Sequence, residues 1–414
     1  MTALWHPFAA MAAVEGAEVV IERGEGAWVV DEEGRRYLDG TASLWYCNVG
    51  YGRREIADAV GAQLARLHAF HVFGEYASRP TLELAERLAE LAPVPGSKVF
   101  LTSGGSDSVD TAAKLARRYF EELGRPERTV VVTRDWAYHG MHAYGTAMAG
   151  IDANRLGGVL IPDVVTVAWD SAEALAETFA RLGPERVAAF FCEPVIGAGG
   201  VRPAPAGYLE AARELVREAG ALWVSDEVIT GFGRVGDWFA SGRFALEPDL
   251  VTFAKGVTSG YLPLGGVLAP PHMAEPFWRS GVVWRHGYTY SGHTAACVAA
   301  LVNLELMERE GLHRRALAFE GVLLEALAPL AAHPLVAEVR GGVGLLAAVQ
   351  LDPGLLAADP ALPARVALAC RDAGLITRAL AGGSLQVSPA LVITEAEIEE
   401  LASRLGAGLD AAAG

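Results

Sequence analysis

The sequence predicts an α/β fold: a large domain around a mostly parallel central sheet, and a smaller α+β domain built from both ends of the chain. Three observations carry this. From about residue 56, strands that are apolar throughout alternate with helices, as in a parallel sheet covered on both faces. Before that point VVIERGEGAWVVDEEGRRYLDG reads as short strands separated by the turn signals GEG and DEEG. After Ala295 the pattern becomes a long Ala/Leu helical stretch, followed by an α+β unit whose sheet can accept the N-terminal strands. The expected division is 1–55 and 301–414 for the two parts of the small domain, and 56–300 for the large one.

Taken in order, the apolar spacing predicts helices near 56–68 and 81–91, the strand KVFLTS, a helix over 107–121 and the strand TVVVTR. The strand VAAFFCEP, a helix over 207–218 and the strands ALWVSDEV, DLVTFAK and GGVLAP follow. The C-terminal unit contains LVAEVRGGVGLLAAVQL, a helix, and the strand-like pieces ITRAL and SLQVSP.

With 414 residues, 52% hydrophobic and 20% charged, the chain can bury a large core. A formal charge of −16 disfavours non-specific binding to nucleic acid or anionic membrane. No apolar block reads as a signal peptide or a membrane span. Cys47, Cys192, Cys297 and Cys370 lie far apart, without a CxxC pair, so a reducing cytoplasm is expected.

Two strand tips carry the most chemistry. ALWVSDEV delivers Asp226, and DLVTFAKG delivers Lys255. A carboxylate can keep a pyridine nitrogen protonated, and an amine can bind an aldehyde covalently and then shuttle a proton, which points to pyridoxal phosphate. A plain salt bridge between neighbouring strand ends accounts for the same pair. In KVFLTSGGSDSVDTAAKLARRYF a Gly pair precedes Ser106, which is expected to cap the next helix and, with Gly105, to cradle a phosphate. Asp107 must then point away. Val228 is placed to press on one ring face, and Tyr138, in DWAYHGM, on the other.

Two further patterns invite rival readings. The pairs His68/His71 and His139/His142 have metal-like spacing but lack an evident third ligand, so no metal is expected. GFGRVG, with Gly231, Gly233 and Gly236, matches the dinucleotide fingerprint of a nicotinamide-dependent dehydrogenase, yet DWFASGRF is a poor helix opening.

Assembled, the motifs HPF, RGEGAWVVDEEGRRYLDG, LWYCNVGYGR, SGGSDSVDTAAKLARRY, YHG, CEPVIGAGGV, SDEVITGFGR, PDLVTFAKGVTSGYLPLGG and HGYTYSGHT resemble the class III aminotransferases of the fold type I pyridoxal phosphate enzymes. The omega-transaminase branch, the amine:pyruvate and β-alanine:pyruvate enzymes, is the most similar. The resemblance implies a Schiff base on Lys255, with Asp226 on the pyridine nitrogen. Tyr138, His139 and Val228 would hold the ring, and Gly105 and Ser106 the phosphate. It implies that Thr289 reaches the phosphate of a neighbouring subunit, hence a homodimer with shared sites, and that Phe8, Trp45, Phe73 and Arg378 line the substrate pocket. Phe73 would come from the other subunit, and Arg378 would pair with a keto acid carboxylate.

The expected activity is transfer of an amino group from a primary amine or ω-amino acid to a keto acid such as pyruvate, through an aldimine and pyridoxamine phosphate, with (S) selectivity. Aminomutase, racemase and decarboxylase reactions share the fold and remain alternatives. Ile229 and Ala198 stand where the ornithine, acetylornithine and γ-aminobutyrate branches carry glutamine and a second acid, which turns the expectation away from those branches.

Overall fold

A seven-stranded sheet runs through the centre of the molecule in the order Lys98–Thr102, Gly265–Ala269, Leu250–Phe253, Leu222–Asp226, Val187–Cys192, Val130–Arg134, Val164–Val167. The structure is a computed structural model that describes residues 2–279 and 281–414. Gly265–Ala269 pairs antiparallel with both of its neighbours, and every other neighbouring pair is parallel. The fold is therefore α/β with a mostly parallel sheet, as expected.

The central strands are apolar throughout because both of their faces are covered. In Val187–Cys192 and Leu222–Asp226 every residue is buried. Successive side chains point to opposite faces, so Phe191 and Val224 pack with Val109, Ala112 and Ala116 of the helix Gly105–Glu122. Phe190 and Trp223 pack on the other side, with Leu175 and Phe179 of Ala172–Leu182 and with Leu209, Ala212 and Val216 of Tyr208–Glu218. Truncating either phenylalanine to alanine costs about 3–5 kcal/mol. The edge strand Val164–Val167 and the helix Ala172–Leu182 have no counterpart among the elements expected from the sequence.

The two ends of the chain share a sheet. Leu375–Ile376 lies parallel to Arg36–Asp39, with Leu375 opposite Leu38, and completes a four-stranded sheet with Ile21–Glu25 and Trp28–Asp31. A second sheet is antiparallel, in the order Val336–Arg340, Ala347–Leu351, Ser384–Val387, Ala379–Leu380. The Ala/Leu stretch folds as two helices, Thr294–Arg309 and Leu312–Leu327, divided where Gly311 adopts φ +66°. The expected division at residue 300 thus falls within a helix.

Five strands of the large sheet release a chemically loaded segment at their C-terminal ends. Gly104 and Gly105 follow Lys98–Thr102, Tyr138 and His139 follow Val130–Arg134, and Glu193 follows Val187–Cys192. Asp226 ends its own strand and Lys255 follows Leu250–Phe253. Ligands of open α/β sheets bind at this edge.

Candidate active site

Asp226 and Lys255 do not form the salt bridge that their strand positions allowed. Asp226 is 4% exposed and spends one oxygen on His139, whose Nδ1 lies 2.6 Å from Oδ2. Its other oxygen accepts from the Val228 amide at 3.2 Å and the Thr252 hydroxyl at 3.0 Å. These contacts fix the carboxylate plane from behind and leave it facing the cavity. Lys255 sits at φ +48°, a left-handed backbone conformation that costs about 1–3 kcal/mol in a non-glycine residue and recurs at functional sites. The enclosing protein pushes its amine down to about 8, against the pull of Asp226 and Glu193.

Two cavities meet at Lys255. The first is lined by Gly105, Ser106, Val109, Tyr138, His139, Gly140, Glu193, Asp226, Val228, Ile229 and Lys255. All seven residues expected to hold the cofactor from within one chain are in that set. The second shares Tyr138 and Lys255 and adds Phe8, Leu44, Trp45, Ile151, Ala198, Leu380 and Arg378, among others. Trp45 is buried, with Lys255 Nζ 5.3 Å and Arg378 Cζ 4.5 Å from its ring centroid. Phe8 stands at the mouth, 77% exposed. Ala42, Ser43 and Trp45 all have positive φ, so the turn that presents Trp45 is strained.

Phe73 and Thr289 do not reach this site within their own chain. Both are exposed, and Phe73 borders a separate groove with Gly287 and Ser291, each two residues from Thr289.

Two details differ from the sequence expectation. Ser106 does not cap the helix: the N-cap is Gly104, the helix begins at Gly105, and Ser106 Oγ instead accepts from the Met141 amide at 3.1 Å. The helix start therefore has no side-chain cap, and its first amides lack partners within the helix. Val228 lies beyond the end of its strand rather than on it, and packs on Gly105, where a Cβ would come within 2.9 Å of Val228 Cγ1. Asp107 does turn away, accepting from the Ser103 amide at 3.1 Å and pairing with His142 at 3.3 Å. The two histidines of that pair therefore serve different carboxylates.

GFGRVG is a packed turn. A Cβ on Gly233 would lie 2.8 Å from His313 Cα, and one on Gly236 would lie 2.4 Å from the Leu317 side chain. The fully buried Arg234 between them donates to Asn48 Oδ1 at 2.7 Å and to the Pro389 carbonyl at 2.5 Å. No long helix opens there, since Ala240–Arg243 has only four residues. The dinucleotide reading fails because the glycines are filled by the helix Leu312–Leu327.

One residue that sequence reasoning passed over is Glu193. Buried to 4% exposure, it accepts from the amides of Tyr138 and Gly197, each at 3.0 Å, and so ties Tyr138 to the loop carrying Ala198. Burial pushes its carboxyl above the usual range. It stood within the quoted motif CEPVIGAGGV, but only its bond to the distant Tyr138 amide reveals its task.

These residues fit pyridoxal phosphate. The glycine-lined, uncapped helix start suits a phosphate, the cavity-facing Asp226 suits a pyridinium, and the enclosed amine of Lys255 suits an aldehyde. The comparisons agree. Residues 10–409 match the family Aminotransferase class-III. The putrescine–pyruvate aminotransferase of Pseudomonas aeruginosa is 37% identical over 406 residues, covering 92% of this chain and 88% of that one. A transaminase from the marine bacterium Virgibacillus superposes with a TM-score of 0.95 at 34% identity, covering 99% and 97% of the two chains. A thermostable (S)-enantioselective omega-transaminase from Thermomicrobium roseum gives 0.94 at 39% identity, covering 99% and 96%. The chain belongs to the class III aminotransferases, and is a pyridoxal phosphate-dependent aminotransferase of fold type I.

Proposed function

We propose that the enzyme moves the amino group of an apolar primary amine to a small keto acid such as pyruvate, with (S) selectivity, in a homodimer with shared sites. The carrying observation is the second cavity, where the aromatic and aliphatic walls of Trp45, Tyr138, Leu44, Ile151 and Leu380 surround the guanidinium of Arg378, apart from the Lys255 amine shared with the first cavity. Such walls accept an apolar amine, and the guanidinium accepts a carboxylate. Ile229 stands over Gly197 as an apolar wall, without the amide or acid that a second charged substrate end would need. The (S) preference rests on likeness to the Thermomicrobium roseum enzyme.

Bound pyridoxal phosphate supplies an electron-accepting ring that stabilises the charge left at the substrate Cα. The chain's own groups do the rest. Asp226, backed by His139 and Thr252, holds a proton at the pyridine nitrogen. Lys255 Nζ takes and returns the Cα proton, which a pKa of about 8 suits near neutral pH. Tyr138, fixed through its amide by Glu193, would hold one face of the bound ring.

The partner contribution is inferred from exposed aromatics. Phe70, Phe73, Tyr76 and Tyr290 are all exposed, and Phe73 and Thr289 lie away from their own cavity, as residues serving a neighbour would. A cytoplasmic setting, without nucleic acid or membrane partners, suits four free, buried cysteines and a charge of −16. Among the described residues no helix is long and apolar enough to cross a membrane.

The test is a donor panel with pyruvate, comprising both enantiomers of 1-phenylethylamine, β-alanine, putrescine and γ-aminobutyrate. Stoichiometric alanine from (S)-1-phenylethylamine is expected. Conversion of a single amino acid without a keto acid acceptor would indicate an aminomutase or racemase instead.

A further inference from the structure

Arg378 enters the second cavity as a cation that no carboxylate among the described residues neutralises. Its Nε donates to Gln386 Oε1 at 2.7 Å, its guanidinium stacks on Trp45, and among the described residues no carboxylate pairs with it. Burial lowers its pKa, with Tyr138 the one group that favours the charge. A half-buried guanidinium without a counter-ion is less stable than one that an anion pairs.

Gln386 is itself fully buried, on the strand Ser384–Val387. Its Nε2 donates to Ser388 Oγ at 2.5 Å and to the Thr41 carbonyl at 3.3 Å, which orients the amide so that Oε1 faces Arg378. The backbones of the two residues are also joined, the Gln386 amide donating to the Arg378 carbonyl at 3.0 Å. Because the glutamine occupies Nε, the Nη1–Nη2 edge, which can fork a carboxylate, keeps no protein partner among the described residues.

We infer that Gln386 is the positioning residue for acceptor specificity: a neutral amide that anchors Arg378 through Nε while leaving its charge uncompensated and its terminal edge open to the carboxylate of the keto acid. An acid at this position would hold the guanidinium in the same place yet cancel the charge that draws the acceptor. The inference rests on the reading of Arg378 as the carboxylate receptor, and it adds the residue that tunes it.

The experiment compares the cofactor-loaded wild type, Gln386→Glu and Gln386→Met. It measures KM for pyruvate and for (S)-1-phenylethylamine, together with calorimetric binding of propionate as a non-reacting carboxylate. In Gln386→Glu the ratio of pyruvate KM to amine KM rises at least about tenfold, propionate affinity falls by a similar factor, and part of the loss returns at lower pH as the new carboxyl protonates. In Gln386→Met, which loses the anchor but keeps the charge, the rise is smaller, about threefold. An unchanged ratio in Gln386→Glu, or equal losses in both variants, overturns the inference. If Gln386→Glu does not fold, an unchanged ratio in Gln386→Met overturns it alone. Failure of the wild type itself to make alanine from pyruvate would instead count against the proposed activity.

Discussion

The amine of Lys255 should titrate well below an ordinary lysine. With a pKa of about 8, about one-quarter of it is uncharged at pH 7.5, against about one part in a thousand for an amine near 10.5. That is about a 200-fold advantage in free amine. The cause is loss of solvation, which outweighs the attraction of Asp226 and Glu193. The chain offers an internal control, because its only other lysines, Lys98 and Lys114, are exposed. Competitive labelling of the apoprotein with acetic anhydride across pH, read by peptide mass spectrometry, should give an inflection near 8 for Lys255, with the two exposed lysines as references for the labelling chemistry.

The same shift has a consequence for stability. Because the folded pKa lies below the unfolded one, the unfolded chain binds more protons between about pH 8 and 10.5, and the apoprotein should gain stability as pH rises through that window. The gain from this one group is at most about 3 kcal/mol, and Lys255→Met should abolish it. If Lys255 labels in step with Lys98 and Lys114, the argument from enclosure is wrong.

Asp226→Asn keeps a side chain that can still contact His139 and Thr252 but cannot hold a pyridinium, so kcat should fall by on the order of 10²–10⁴ while the cofactor remains bound by absorbance. Glu193→Ala leaves the enclosed amides of Tyr138 and Gly197 without their acceptor, and chemical denaturation should show a loss of about 2–4 kcal/mol. Gly105→Val sets a branched side chain against Val228 and over the helix start, so cofactor affinity, by fluorescence titration, should weaken at least about tenfold. Retention of wild-type affinity there would move the phosphate away from Gly105.

Much of the site was legible because its residues sit at the ends of strands whose apolar runs are unmistakable. ALWVSDEV and DLVTFAKG placed Asp226 and Lys255 at one sheet edge from local pattern alone. The Ser106 cap was misread because a serine after two glycines matches a cap by type, while the deciding partner, the Met141 amide, lies 35 residues away in sequence. Glu193 and Gln386 escaped for a similar reason. Each joins a nearby segment to one remote in sequence, Glu193 linking Gly197 to Tyr138 and Gln386 linking Arg378 to Thr41, and the remote partner leaves no trace in their own neighbourhood. Val164–Val167 was passed over because four residues after a Gly-rich stretch give too short a periodic signal, and its pairing with Val130–Arg134 supplies what the sequence lacks.

The account turns on Lys255 as the attachment point of the cofactor. Borohydride reduction of the purified enzyme, followed by peptide mapping, reads this directly, since only three lysines compete. The added cofactor mass should fall on the peptide containing Lys255, and Lys255→Ala should lose both the label and alanine formation from pyruvate. A label on Lys98 or Lys114, or undiminished turnover in Lys255→Ala, would contradict it.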